Sequence, residues 1–200
     1  MLTYLALGDS YTIGEQVDLL ATFPYQTLAL LRAQNVALAA PEIVAKTGWT
    51  SSELLDAMGK YTFLPSYNLV TLLIGVNNQY RGEEVRIYEQ TFTSLLQQAI
   101  ALAANKPTKV FVLSIPDWGI TPFAADKNKV QIAADIDAYN SICKKITVSH
   151  QCQFINITTV QRNTNHDDEM LASDGLHPSG KQYTLWAEQL VAAITLPHFA

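Results

Sequence analysis

Four short clusters in this 200-residue chain hold the residue types that covalent chemistry needs. Gly8-Asp9-Ser10 supplies a hydroxyl, and Lys46-Thr47-Gly48-Trp49 a glycine-bearing turn. Gly75-Val76-Asn77-Asn78 supplies carboxamide donors. Asp174-Gly175-Leu176-His177-Pro178 sets a carboxylate three residues before an imidazole, in a turn that Gly175 can bend. An isolated Asp-Ser pair reads first as a helix cap. Asp174 and His177 change the weighing: the carboxylate can reach the near ring nitrogen, fix the tautomer, and leave the far nitrogen free to take a proton from Ser10. A hydroxyl, a held imidazole and amide donors are the parts of nucleophilic acyl transfer.

The elements between the clusters place them together. Apolar runs at 3–7, 42–45, 69–74, 109–115 and 153–157 are continuous rather than alternating, which predicts strands buried on both faces. Helical patterns separate them. Pro24 suits a first turn, with Tyr25, Leu28 and Leu31 on one face. Thr50-Ser51-Ser52-Glu53 has the form of a capping box. Stripes at Val85/Tyr88/Phe92/Leu95/Ala99, Ile132/Ile136/Tyr139/Cys143/Ile146 and Tyr183/Trp186/Leu190/Ile194 mark three further helices, read as core faces. The expectation is an α/β fold: a three-layer αβα sandwich on a five-stranded parallel sheet, doubly wound in flavodoxin-like order, over residues 1–200 as one domain. Stretches 75–82, 114–126 and 158–178 are expected to be long non-helical loops at the carboxyl edge of the sheet, where such folds hold their ligands.

Taken in order, the clusters resemble the conserved blocks of the SGNH hydrolases, also called the GDSL esterase/lipase family, in its compact single-domain bacterial form. The resemblance runs from residue 4 to the last helix. It implies that Ser10 is the nucleophile, that Gly48 and Asn77 join the Ser10 backbone in an oxyanion hole, and that Asp174 and His177 are acid and base. It implies an esterase or acylhydrolase with no cofactor and no metal. One position departs: where the family commonly has Asp after its oxyanion asparagine, this chain has Asn78, which points to altered support of that loop. Asp9 is assigned a structural role in the turn. Tyr11, Trp49, Tyr80, Trp118 and Phe123 fall on edge loops and are candidates for an apolar or sugar-stacking substrate pocket. With no separate lid, short acyl, aryl or sugar esters are favoured as the small-molecule partner.

Composition narrows the rivals. A hydrophobic content of 48% with 16% charge argues for a sizeable core, and a net charge of −5 argues against nucleic acid or an anionic membrane. No window approaches the ~18 uninterrupted apolar residues of a membrane span. The N-terminus has no basic region or small-residue cleavage site, so the chain is expected to be cytoplasmic, with Cys143 and Cys152 as buried thiols of a reduced compartment. His150 is assigned to a helix end and His198 to a tail, while His166-Asp167-Asp168-Glu169 is read as a solvated acidic loop rather than a metal site. A thioesterase or carbohydrate deacetylase would use the same triad. A phosphate binder at Gly8–Gly14 lacks a following Gly-Lys-Ser/Thr, and a non-catalytic binding domain would have no need of all four clusters.

Overall fold

The computed structural model describes residues 1–164 and 167–194. Five parallel strands form the sheet: β1 (Tyr4–Gly8), β2 (Glu42–Ala45), β3 (Leu69–Leu73), β4 (Val110–Leu113) and β5 (Gln153–Ile155). Their order is β2-β1-β3-β4-β5, the flavodoxin-like order, with the chain reversing direction across the sheet beside β1. Leu5 lies opposite Glu42 on one side and Val70 on the other, and Phe111 lies opposite Gln153.

The strands form where the continuous apolar runs stand, because β1, β3 and β4 are buried along their whole length. Each Leu or Val so buried contributes about 1.5–3 kcal/mol of transfer free energy. The one polar side chain inside β3, Thr71, meets the Tyr4 hydroxyl at 3.1 Å. Eight helices flank the sheet among the described residues: α1 (Ser10–Ile13), α2 (Phe23–Ala33), α3 (Ser51–Met58), α4 (Val76–Tyr80), α5 (Val85–Leu102), α6 (Lys129–Ser149), α7 (Ile157–Thr164) and α8 (Gly180–Ala193). Helices α2 and α7 pack on α8, while α3 and α6 pack on α5, so the helices divide into two layers. Helix α3 starts in a complete capping box: Thr50 Oγ1 accepts from the Glu53 N–H, and Glu53 Oε2 accepts from the Thr50 N–H at 2.8 Å.

Three loop expectations need correction. Residues 76–80 are helical rather than looped, 157–164 form a two-turn helix, and 118–120 and 122–124 are single 3₁₀ turns. The helices at 76–80 and 157–164 carry Asn, Thr and Val, poor helix formers in segments too short to show an apolar stripe, and it is tertiary burial of Val76, Gln79, Thr158 and Gln161 that holds them. Among the described residues no helix is long and apolar enough to cross a membrane. Cys143 and Cys152 are free, and burial pushes both thiols up to about 12. His166 and His198 lie outside the described residues. Of the acidic run beside His166, Asp167 and Glu169 both bind Lys181 Nζ, at 2.7 and 2.8 Å.

Candidate active site

The strand order places three of the four clusters side by side at the carboxyl ends of β2, β1 and β3. Leaving β1, the chain turns at once into α1. Asp9 caps it, its Oδ1 accepting the Tyr11 N–H at 3.0 Å, and Gly14 in the left-handed region ends it after one turn. So short a helix carries little macrodipole, and what it offers Ser10 is local: a first-turn N–H with no intrahelical acceptor. Gly8 is required by packing, since a Cβ there would overlap Thr12 Oγ1 and come within 2.5 Å of the Leu73 carbonyl oxygen.

Ser10 and His177 come from opposite ends of the chain and meet: His177 Nε2 lies 3.0 Å from Ser10 Oγ. His177 Nδ1 lies 2.6 Å from Asp174 Oδ2. An ionised carboxylate only accepts, so in the neutral ring Nδ1 carries the proton and Nε2 accepts from the serine hydroxyl. The other oxygen of Asp174 accepts the backbone N–H groups of Leu176 and His177, each at 3.0 Å. Burial works to raise the Asp174 pKa, but the His177 ring N–H and the two backbone donors outweigh it and hold the carboxyl below its ordinary value. The Ala172 N–H closes the turn by donating to the His177 carbonyl at 2.8 Å, and the Phe123 N–H ties it to the fold by donating to the Gly175 carbonyl at 3.1 Å. Tyr11 packs against the imidazole, ring centroids 5.1 Å apart.

Asn77 sits in α4, directly after β3. Its Nδ2 donates to the Trp49 carbonyl at 3.0 Å and, more weakly, to Asp9 Oδ2 at 3.4 Å. Asp9 is fully buried, and its desolvation outweighs the bonds from the Tyr11 N–H, its own N–H and Asn77, raising the carboxyl to about 7. The turn before α4 needs Gly75, whose φ is 130° and whose Cβ would stand 2.6 Å from the Tyr88 ring. Asn78 is buried beneath. Its Oδ1 accepts the Ser51 N–H at 2.9 Å, and its Nδ2 donates to Ser51 Oγ at 2.8 Å and to Glu83 Oε2. That explains the departure: an amide can donate to Glu83 where an ionised aspartate would repel it.

Ser10, Gly48, Asn77 and His177 open on one cleft of about 170 Å³. Tyr11, Tyr80, Trp118 and Phe123 line it, as four of the five aromatic candidates. Trp49 does not. It packs partly buried against the core and serves the cleft only through its carbonyl. Thr47, Val76 and Leu176 also line the cleft, and only their adjacency in sequence to Gly48, Asn77 and His177 marked them. Two supports had no sequence signal. Gln79 Oε1 accepts the Trp118 indole N–H at 2.7 Å, and Asp117 accepts Arg162 Nε at 2.8 Å beneath the Trp118 turn. Among the described residues no cluster of three or more metal-ligating side chains occurs.

A family description of GDSL-like lipases and acylhydrolases matches residues 6–185. No curated protein matches by sequence. Among solved structures, TesA superposes with a TM-score of 0.76 at 18% identity, covering 98% of this chain and 99% of its own. The acetylxylan esterase Axe2 from Geobacillus stearothermophilus gives 0.76 at 18% identity, covering 100% and 96%. A lipase/acylhydrolase from Enterococcus faecalis gives 0.75 at 18%, covering 96% and 94%. At that identity the superpositions speak for the fold, and the match over residues 6–185 carries the assignment: the chain belongs to the GDSL-like lipase/acylhydrolase family and is an ester-bond hydrolase.

Proposed function

We propose that residues 1–200 act as one catalytic domain, a serine esterase that cleaves short-acyl or small aryl esters through an acyl-enzyme on Ser10. The observation that carries the reading is the unbroken contact from Ser10 Oγ through His177 to Asp174, at 3.0 and 2.6 Å. Ser10 Oγ attacks the ester carbonyl carbon as His177 Nε2 takes its proton, and the ionised Asp174 stabilises the imidazolium that forms. The carbonyl oxygen becomes an oxyanion held by the Ser10 and Gly48 N–H groups and Asn77 Nδ2. To serve it, Asn77 gives up its weaker bond, the one to Asp9. Collapse of the tetrahedral intermediate breaks the C–O bond, and His177 passes its proton to the departing alcohol. Water, deprotonated by His177, then attacks the acyl-enzyme and regenerates Ser10.

Likeness to an acetylxylan esterase supports a deacetylase as the second reading, while the aromatic cleft wall favours small apolar esters. The two buried thiols fit a reduced, cytoplasmic location. The test is hydrolysis of p-nitrophenyl acetate by wild type and Ser10→Ala. A fall of about 10⁶ in kcat is expected, because nucleophile and base act as a unit. Equal rates in the two proteins, or inertness of both across acyl chain lengths, would overturn the reading.

A further inference from the structure

The cleft wall is more specialised than an apolar lining requires. Three aromatic rings from three segments meet there. Tyr80 and Trp118 stand edge to face with centroids 5.2 Å apart, and Phe123 completes a triangle at 6.1 Å from Trp118 and 6.2 Å from Tyr80. Tyr80 is 52% and Phe123 43% exposed, so much aromatic surface faces water beside the reactive serine. Trp118 is 6% exposed and held in place. Its indole N–H donates to buried Gln79, on the same short helix as Asn77. Its turn is anchored below by Asp117, which accepts from both the Gly119 N–H at 2.9 Å and Arg162.

We propose that this triangle is a clamp for one planar ring, so that the preferred ester carries a single aromatic ring, with Gln79 as the positioning residue that fixes Trp118. The proposal rests on the esterase reading and narrows its substrate. The volume of about 170 Å³ is the first argument. An apolar cavity of about 150 Å³ holds one benzene. The second is chemistry: apart from the phenols of Tyr11 and Tyr80, the polar side chains on the cleft are Ser10, Asn77 and His177, which the reaction uses, and Thr47, whose hydroxyl donates to Glu15. A sugar would find few partners for its hydroxyls, whereas a ring finds the edges and faces of three others. The ring can sit on the acyl side or the alcohol side of the ester, and the experiment separates these.

The assay is kcat/KM by titration of released acid at constant pH. The acyl arm compares ethyl phenylacetate with ethyl hexanoate, and the alcohol arm compares benzyl acetate with hexyl acetate. Wild type is expected to favour the ring ester about tenfold in one arm, the scale of one or two aromatic contacts. Trp118→Ala is expected to bring that ratio close to one. Phe123→Ala, at an exposed position, is expected to lower it without any question of folding. Gln79→Leu is expected to lower the ratio through KM in the wild-type background and to leave it unchanged in Trp118→Phe, which has no N–H to hold. Ratios close to one in both arms for wild type, or ratios untouched by Trp118→Ala and Phe123→Ala, overturn the clamp. An effect of Gln79→Leu that persists in Trp118→Phe overturns its positioning role. Ser10-dependent hydrolysis of ethyl acetate would leave the esterase reading standing in each case. If no ester in the panel is cleaved in a Ser10-dependent way, that reading fails and the clamp with it.

Discussion

Asp9→Asn is expected to make the protein more stable and less active at pH 8. The carboxyl is fully buried, and burial raises it to about 7 despite three hydrogen bonds. An unfolded Asp releases its proton near pH 3.9. Between that value and 7 the folded chain therefore binds more protons than the unfolded one, and stability falls as pH rises. The contribution of this group is fully present below about pH 4, declines by about 1.4 kcal/mol per pH unit, and is lost above 7, about 4 kcal/mol in all. Asparagine does not titrate. It can still accept the Tyr11 N–H, but its amide would face Asn77 Nδ2 donor to donor, at an offset of about 1 kcal/mol for the lost bond. Urea unfolding of both proteins, followed by tryptophan fluorescence from pH 5 to 9, isolates the Asp9 contribution, because other titrating groups cancel in the difference. The stability of Asp9→Asn minus that of wild type is expected to rise by some 2–3 kcal/mol from pH 5 to 7 and to level off above 8. A difference that stays flat across this range would refute the reasoning. Over the same series kcat is expected to fall in the variant, since the new amide stands donor to donor with Asn77 Nδ2 and turns that side chain from its aim at the oxyanion.

Asn77→Ala is expected to lower kcat on p-nitrophenyl acetate by about 10²–10³, the usual loss for one oxyanion donor, and an unchanged kcat would remove Asn77 from the hole. Asn78→Asp sets a carboxylate against Glu83 in a buried site and is expected to cost roughly 1–3 kcal/mol, read as a lower Tm and recovered in Asn78→Asp/Glu83→Gln. Arg162→Met strands the buried Asp117 charge and is expected to cost about 3 kcal/mol by urea unfolding. Asp174→Asn preserves the oxygen that accepts the Leu176 and His177 N–H groups but turns an N–H toward His177 Nδ1, which favours the wrong tautomer; a kcat loss of about 10⁴ with little change in Tm is the expected result.

The parts legible in the sequence were those governed by local rules. Buried strands show as continuous apolar runs, and the Thr50 capping box is a four-residue pattern that folds as written. The Asp174/His177 pair was legible because its geometry is fixed within one turn. Contacts between distant segments were not. Nothing near Gln79 announces that it accepts from Trp118 39 residues later, nor that Arg162 anchors a turn 45 residues earlier. Trp49 misled for the same reason: its place beside Gly48 put it at the edge, but the backbone after β2 turns its ring toward the core and its carbonyl toward Asn77.

The two halves of the site are built with different tolerances. Gly48, Ser10 and Asn77 follow three strands adjacent in the sheet, and adjacent strands lie about 4.8 Å apart, so the proposed oxyanion donors are spaced by the sheet itself. Changes there act through buried groups such as Asp9, Asn78 and Ser51, and alter folding as well as rate. Asp174 and His177 arrive on a turn outside the sheet, whose internal geometry depends on one carboxylate serving both backbone and ring. Damage to that turn changes the Ser10–His177 approach while the donors stay where the strands put them. Stability and activity are therefore both expected to move for variants under the donors, upward in stability for Asp9→Asn and downward for Asn78→Asp, whereas Asp174→Asn in the turn is expected to change activity with little change in stability.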